Sequence, residues 1–174
     1  VLIGEQQGFA STNNTDPAQL RAIAGAAIAN AKLSPPNPNV AIPTSGTLPE
    51  DCPTNLVDPD LHNLSIATQK EWLHGMIVEA TKDKRFRINE GTSEISGGLS
   101  IIANSTGVHR SSTETAATWS LMGMGVEGER ITSFDYFSAL SRKAHGTAQQ
   151  IRSSTKEFCE RVLKGLKGGP ATSY

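Results

Sequence analysis

Residues 84–140 form a run of strand-like segments separated by short turn signals, and this run limits the fold more than any other part of the chain. The segments are 85–91, 99–104, 108–126 and 130–136, and the turn signals between them are 97–98 (GG), 104–107 (NSTG) and 127–128 (EG). Glycine and asparagine adopt positive φ at little steric cost, so such clusters are where a chain reverses. Strands joined by short turns pair antiparallel, because a parallel pair needs a long crossover. The sequence therefore predicts a four-stranded antiparallel meander.

Apolar residues alternate with other residues in the first two of these strands. Phe86 and Ile88 share one face of the first strand, and Leu99, Ile101 and Ala103 share one face of the second. Successive side chains of a strand point to opposite faces, so this pattern predicts a sheet with one covered face.

The third segment, 108–126, changes parity near its end. The apolar residues in phase at first are Ala117, Trp119 and Leu121, and those on the opposite parity are Met122, Met124 and Val126. Either a β-bulge lies near 121–123, or the end of the strand is buried on both faces. Gly123 and Gly125 favour the bulge, because an isolated glycine in a strand often marks one.

Three segments have the spacing of amphipathic helices, and two of them can cover the sheet. The first begins at an Asp16 cap and ends before Pro35, with a narrow face of small residues. Ser65 caps the second, which runs to about residue 82 and carries a stripe of Ile66, Leu73, Ile77 and Ala80, with Trp72 and Met76 beside it. The third runs from about 142 to 166, and Gly168 and Pro170 end it. Together with the meander, these helices predict an α+β fold.

The segment between the first two helices is rich in proline. Seven of the nine prolines lie within residues 35–59. Proline fixes φ and removes a backbone donor, so the segment is predicted to be an extended connector, neither helix nor central strand. The predicted division of the chain is therefore 1–34, a connector over 35–64, and a helix–antiparallel sheet–helix domain over 65–174.

Composition and charge argue against several classes of function. The 174 residues carry a formal net charge of -1, which gives no electrostatic reason to expect binding to nucleic acid or to an anionic membrane. No window approaches the roughly 18 apolar residues of a membrane span, and no secretory signal is visible. A cytoplasmic protein is expected, with Cys52 and Cys159 as lone thiols rather than a disulfide. The sequence lacks an initiator methionine, and we interpret it as a piece of a longer protein.

Residues 123–128 (GMGVEG) match the glycine spacing of a dinucleotide-binding fingerprint. Those glycines bind a pyrophosphate only when they close a strand and open a helix. The residues that follow, 130–136, have the pattern of another strand. We therefore predict a twisted hairpin at this position and no cofactor site.

The remaining side chains show no catalytic pattern. No histidine has another three or four residues away, the spacing of a helical zinc pair; the four are His62, His74, His109 and His145. Glu71 and His74 have the Glu-x-x-His spacing of a di-iron helix, but that site needs a second such helix. The hydroxyl-rich run 111–115 (SSTET) needs no catalytic explanation on an exposed strand face. No catalytic, cofactor-binding or metal-ligating residue is therefore predicted in this chain.

The order of these segments resembles the first part of the TldD/PmbA family, whose members are also called modulators of DNA gyrase. The resemblance begins with 8–12 (GFAST), the helix ending in Ala31 and Lys32, and 37–43 (NPNVAIP). It continues through 83–88 (DKRFRI), the 104–107 turn and the long hydroxyl-bearing strand after it. It ends with the last helix, which leads into 168–174 (GGPATSY).

The resemblance implies a metal-dependent peptidase family of cytosolic homodimers or heterodimers that act on unfolded or small peptides. It also implies that residues 1–34 are the C-terminal part of a first, smaller domain. TldD-like subunits carry a His-Glu-x-x-x-His zinc motif and PmbA-like subunits lack it; no such motif occurs in this chain. No catalytic residue of the family is therefore assigned here, and zinc is expected only in the full-length protein or its partner.

Three hypotheses of function follow. The first is the N-terminal part of a peptidase subunit whose catalytic chemistry lies downstream. The second is a non-catalytic module that binds a protein or peptide, with the hydroxyl-rich face of the sheet as its contact surface. The third, nucleic-acid binding, is disfavoured by the charge balance, because phosphate contacts need clustered Lys and Arg.

Overall fold

The computed structural model describes residues 1–46, 52–53 and 56–168. The helices are α1 (Pro17–Leu33), α2 (Pro59–His62), α3 (Ile66–Ala80) and α4 (Thr147–Lys164), the last followed by a 3₁₀ turn over Gly165–Lys167. The strands are β1 (Leu2–Ile3), β2 (Gln6–Gln7), β3 (Phe86–Ala103), β4 (His109–Glu127), β5 (Arg130–Ile131) and β6 (Asp135–Ser141). None of the helices in the described ranges is long and apolar enough to cross a membrane.

The chain forms two compact units. The small unit comprises the described part of Val1–Pro49 together with Ile101–Arg110, and the large unit comprises the described part of Glu50–Ser100 and Ser111–Tyr174. The long hairpin of β3 and β4 contributes its tip to the first unit and the rest to the second. The division into 1–34, 35–64 and 65–174 drawn from the sequence stays a prediction.

The large unit contains an antiparallel sheet with helices packed on one face, so the predicted α+β fold is confirmed. β4 lies between β3 on one side and β5 and β6 on the other. It pairs with β6 in unbroken antiparallel register from Ala117 opposite Ser141 to Gly123 opposite Asp135. The core between sheet and helices includes Trp72, Met76, Trp119 and Phe158 among its buried residues.

Two of the three predicted turns are present, and the third is wrong. Gly107 (φ 93°) and Gly128 (φ 61°) have the positive φ expected of the 104–107 and 127–128 turns. Gly97 and Gly98 lie instead within β3, which is one continuous strand over Phe86–Ala103. Glycine is compatible with extended backbone as well as with a turn, and here pairing with the equally long β4 selects the extended form.

The bulge predicted near 121–123 of β4 is wrong, and a bulge lies instead on the partner strand. Inward positions of β4 alternate without interruption to Gly125, whereas Met122 and Met124 are half-buried on the other face. The Thr132 amide donates to the Gly125 carbonyl (3.0 Å), so Thr132 is opposite Gly125. Since Gly123 is opposite Asp135, residues 133 and 134 both face Met124. This extra residue divides the predicted strand 130–136 into β5 and β6.

The glycines of β4 serve close packing. A Cβ on Gly123 would overlap the ring of Phe86 and lie 2.6 Å from the Arg87 carbonyl oxygen. A Cβ on Gly125 would lie 3.1 Å from Leu166 Cδ1. Glycine at these two positions therefore leaves room for the Phe86 ring and for Leu166 of the 3₁₀ turn against β4.

The helices begin where their caps predict, with one exception. Asp16 Oδ1 accepts from the Ala18 amide (2.8 Å), and Ser65 Oγ accepts from the Thr68 amide (3.1 Å). The last helix begins at Thr147 and not near residue 142, because Gly146 at φ 82° interrupts the helical path before it. Its predicted stop at Gly168 agrees with the structure, and Pro170 lies outside the described residues.

The inner stripe of α3 differs from the predicted one. The buried residues are Trp72, Met76 and Ala80, whereas Ile66 is 71% exposed and Ile77 is 41% exposed. The two stripes lie next to each other on the helix, and the larger Trp and Met side chains occupy the space above the sheet. Spacing alone does not choose between adjacent apolar stripes.

A short helix, α2, replaces the extended end of the predicted connector. Asp58 caps it by accepting from the Asp60 amide (3.0 Å), and Pro59 occupies the first helical position, where its missing N–H costs nothing. Leu61 of this helix is fully buried in the core of the large unit. The prediction that 35–64 contains no helix is therefore wrong at 59–62, while the described residues 35–46 have no helix or strand.

Asp58 also joins three segments of the large unit. Its amide donates to Thr115 Oγ1 on β4 (2.9 Å), and its Oδ2 accepts from the Ala144 amide ahead of α4 (2.9 Å). The Thr115 amide donates in turn to the Leu56 carbonyl (2.9 Å). The bond from the Ala144 amide is the main cause that holds the pKa of the Asp58 carboxyl below its ordinary value, and the Asp60 amide acts in the same direction, whereas burial acts against both.

The small unit is built on a close contact between a glycine and a helix. The narrow face of α1 buries Ala27 and Ala31, and a Cβ on Gly8 would overlap the backbone of both residues. The larger side chains of the predicted stripe, Leu20 and Ile28, remain exposed. The small-residue face therefore does approach its neighbour closely, as predicted from the sequence.

Candidate functional site

The nucleotide-like glycine motif is a hairpin, as predicted. β4 continues through Val126 to Glu127, Gly128 makes the turn, and Arg130 begins β5. The motif therefore does not open onto a helix N-terminus, which is the part of a dinucleotide site that holds the pyrophosphate.

The four histidines lie apart from one another. His62 ends α2, His74 is exposed on α3, His109 begins β4 and His145 lies in the turn before α4. Across 1–46, 52–53 and 56–168, no three His, Cys, Asp or Glu side chains come close enough to hold a metal ion. The described residues therefore offer no set of ligands for a metal, and no step of a reaction is assigned to a metal here.

The two cysteines are free thiols in different surroundings. Cys52 is half-buried, and Cys159 is buried on α4. Burial raises the pKa of the Cys159 thiol to about 12, and the nearby carboxylates of Glu79 and Asp83 act in the same direction. A thiol with so high a pKa is almost entirely protonated near neutral pH, which makes it a poor nucleophile and a poor metal ligand.

The hydroxyl-rich run of β4 divides into an exposed and a buried part. Ser111, Ser112 and Thr113 are exposed. Thr115 is only 2% exposed, and its hydroxyl accepts the bond from the Asp58 amide. The expectation of an exposed hydroxyl face is therefore wrong for Thr115, whose role in the structure is to hold the segment before α2.

One cleft in the large unit lies along the outer side of α3. It has a volume of about 580 Å³, and Arg152 of α4 forms part of its wall. Glu71 and His74, the pair with di-iron spacing, both line it. Its charges are mixed, because it also contains Lys70 and the ion pair of Glu79 and Lys82 at 2.7 Å. Such a mixed, open surface selects neither an anion nor a cation.

A larger groove lies in the small unit, and we name it the tip groove. Its volume is about 820 Å³, within the range of roughly 300–1,000 Å³ typical of ligand sites. It is lined by Val1, Leu2, Gln7, residues 39–43 and residues 102–105. None of these residues carries a charged side chain, although 19% of the whole chain is Asp, Glu, Lys or Arg. The groove is therefore suited to an uncharged ligand.

Side-chain bonds to backbone hold the walls of the tip groove together. The Pro43 carbonyl accepts from Asn104 Nδ2 (2.8 Å) and from Thr106 Oγ1 (2.7 Å). The Arg110 guanidinium donates to the Gly46 carbonyl (2.6 Å). The 39–43 wall is thus fastened at one end to the turn between β3 and β4, whose shape depends on the positive φ of Gly107.

The other wall of the groove contains an open strand edge. The Asn104 amide donates to the Val108 carbonyl (2.9 Å), so at this residue the backbone points toward β4. Backbone groups of a strand point alternately to its two sides, so the N–H and C=O of Ala103 and Ile101 point away from β4. Within the described residues, β4 is the only strand paired with β3. The outward groups of Ala103, a residue that lines the groove, therefore point away from β4.

Sequence reasoning did not identify the tip groove. Its walls come from three separate parts of the chain, and none of them contains a motif with known chemistry. Two local features were visible in the sequence: the apolar residues Val40 and Ile42 inside a proline-rich segment, and the turn that begins at Asn104. The bond from the Asn104 side chain to Pro43 is visible only in the structure. Neither feature shows that the segments meet.

Comparison with solved structures shows which proteins share this fold. TldE from Thermococcus kodakarensis matches with a TM-score of 0.64 at 21% identity, over 94% of this chain and 35% of that chain. A proposed modulator of DNA gyrase from Thermotoga maritima matches with a TM-score of 0.63 at 13% identity, over 95% of this chain and 35% of that chain. Another from Bacteroides thetaiotaomicron matches with a TM-score of 0.61 at 21% identity, over 93% and 37%.

The fold is therefore that of the TldE and gyrase-modulator structures, and the resemblance to the TldD/PmbA family extends from the sequence to the architecture. The chain spans little more than a third of the length of these solved chains. No family model and no curated protein matches the sequence.

Proposed function

We propose that this chain is the N-terminal portion of a TldD/PmbA-like metallopeptidase subunit that acts on unfolded or small peptides in the cytoplasm. The observation that carries the proposal is the length of the structural match, which extends over 94% of this chain in TldE and includes both compact units. A match of one unit alone would support only a shared building block.

In this proposal the catalytic metal belongs to the part of the longer protein outside this chain. The described residues gather no set of three metal ligands, and the sequence contains no His-Glu-x-x-x-His. The role left to this portion is to bind and orient, and the tip groove offers walls without charged side chains for it. A homodimer, or a heterodimer with a related subunit, is part of the same proposal.

The tip groove favours a second candidate, a non-catalytic subunit that binds a peptide or protein for a partner. A concave, uncharged site with fixed walls is what a binding module needs, whether or not a metal lies elsewhere. Such a subunit would correspond to the PmbA-like type, without zinc.

Nucleic-acid binding has little support from the charges of the large unit. Arg85 is bonded to Asp83 (2.8 Å) and Glu127 (3.0 Å), and it lowers the pKa of Asp83 to about 2. Two further arginines are paired in the same way, Arg142 with Glu114 at 2.8 Å and Arg161 with Asp135 at 3.1 Å. Guanidinium groups held by carboxylates are less available to phosphates.

The proposal is tested by comparing this chain with the protein encoded by its complete reading frame. Zinc content is measured by elemental analysis, and cleavage of an unstructured peptide is followed by mass spectrometry with and without added zinc. We expect zinc and chelator-sensitive cleavage only in the complete protein, alone or with its partner subunit.

The other outcomes separate the two candidates. A complete protein without the zinc motif that binds peptide but does not cleave it supports the PmbA-like subunit. One zinc per chain, or zinc-dependent cleavage, in the 174-residue chain alone would show that the chemistry lies within it and that the proposal is wrong.

A further inference from the structure

We draw no further inference here: the strongest candidate, the apolar patch on the face of the large unit's sheet away from α3 and α4, where Met122 and Met124 are half-buried and Tyr136 and Leu140 are exposed, carries nothing because nothing in the structure shows what covers it.

Discussion

The two strands of the long hairpin pass through two environments that their sequences do not distinguish. From Phe86 to Ile95 in β3, and from Thr115 to Gly125 in β4, one face is buried beneath α3 and α4. From 96 to 103 and from 109 to 113 both faces are exposed, and we call this part the ribbon. Leu99 and Ile101 of the ribbon are 61% and 59% exposed, although they alternate as regularly as Phe86 and Ile88.

This difference shows that an alternating pattern predicts a strand but does not predict its burial. Alternation is a property of the strand itself, and it correctly predicts extended backbone in both parts. Burial depends on whether another element lies against the strand. The buried core beneath α3 and α4 extends along β3 only to about Ile95. The prediction that Leu99, Ile101 and Ala103 face a covered side is wrong for this reason.

The same residue type should therefore tolerate substitution very differently in the two environments, and the pair Gly123→Ala and Gly98→Ala tests this. A Cβ on Gly123 overlaps the Phe86 ring and the Arg87 backbone, and we expect a loss of about 3 kcal/mol or more. A Cβ on Gly98 meets open space, and alanine there should stabilise by about 0.5 kcal/mol through the unfolded chain.

The measurement is chemical denaturation of both variants beside the parent chain, followed by tryptophan fluorescence. Trp119 and Trp72 both report on the buried part of the large unit. If the two glycines tolerate alanine equally, the boundary between the buried strands and the ribbon is drawn in the wrong place.

Much of the local structure was predictable because it depends on a few neighbouring residues. The caps at Asp16 and Ser65 and the positive φ of Gly107 and Gly128 follow from chemistry within one turn of each residue. The continuity of β3 through Gly97 was not predictable, because glycine permits both a turn and a strand. The choice depends on pairing with β4, which lies far along the sequence.

The candidate site was less predictable than the fold. No site residue was predicted from the sequence, and the tip groove forms only where Val1, Leu2 and Gln7 meet residues 39–43 and 102–105. Its walls consist of backbone groups and of side chains without charge, and these produce no recognisable motif in a sequence. Family resemblance could not supply it either, because the matched structures show the fold and not the ligand of this chain.

The turn at the end of the ribbon depends on the backbone conformation of one glycine. Gly107 has φ 93°, which a residue with a Cβ adopts only with strain, so Gly107→Ala should destabilise by about 1 kcal/mol. The nearest atom to the new Cβ would be Ser45 Oγ at 3.6 Å, so the cost comes from the backbone and not from a clash. Gly107→Asn should recover part of the loss, because asparagine tolerates this region better. Thermal unfolding that is unchanged in Gly107→Ala would contradict the assigned turn.

The smallest expected effect concerns the point where burial of β4 begins, at Thr115. The Asp58 amide donates to Thr115 Oγ1, and the Asp58 carboxylate accepts from the Ala144 amide. The bond from Ala144 is the main cause that lowers the pKa of this carboxyl in the folded chain. A carboxyl whose folded pKa lies below its unfolded value, about 3.8, stabilises the folded state above that value. This stabilisation is lost as the pH falls through the folded pKa.

As the pH is lowered towards and below about 3.8, the thermal midpoint of the parent chain should therefore fall more steeply than that of Asp58→Asn, which cannot lose a charge. At neutral pH the variant should be the less stable, because its amide accepts weaker bonds than a carboxylate. Asp60→Asn, an exposed position two residues away on α2, is the matched control and should keep the parent's slope. Parallel curves for the parent and Asp58→Asn would mean that the bonds from the Ala144 and Asp60 amides to the Asp58 carboxylate do not stabilise the folded state.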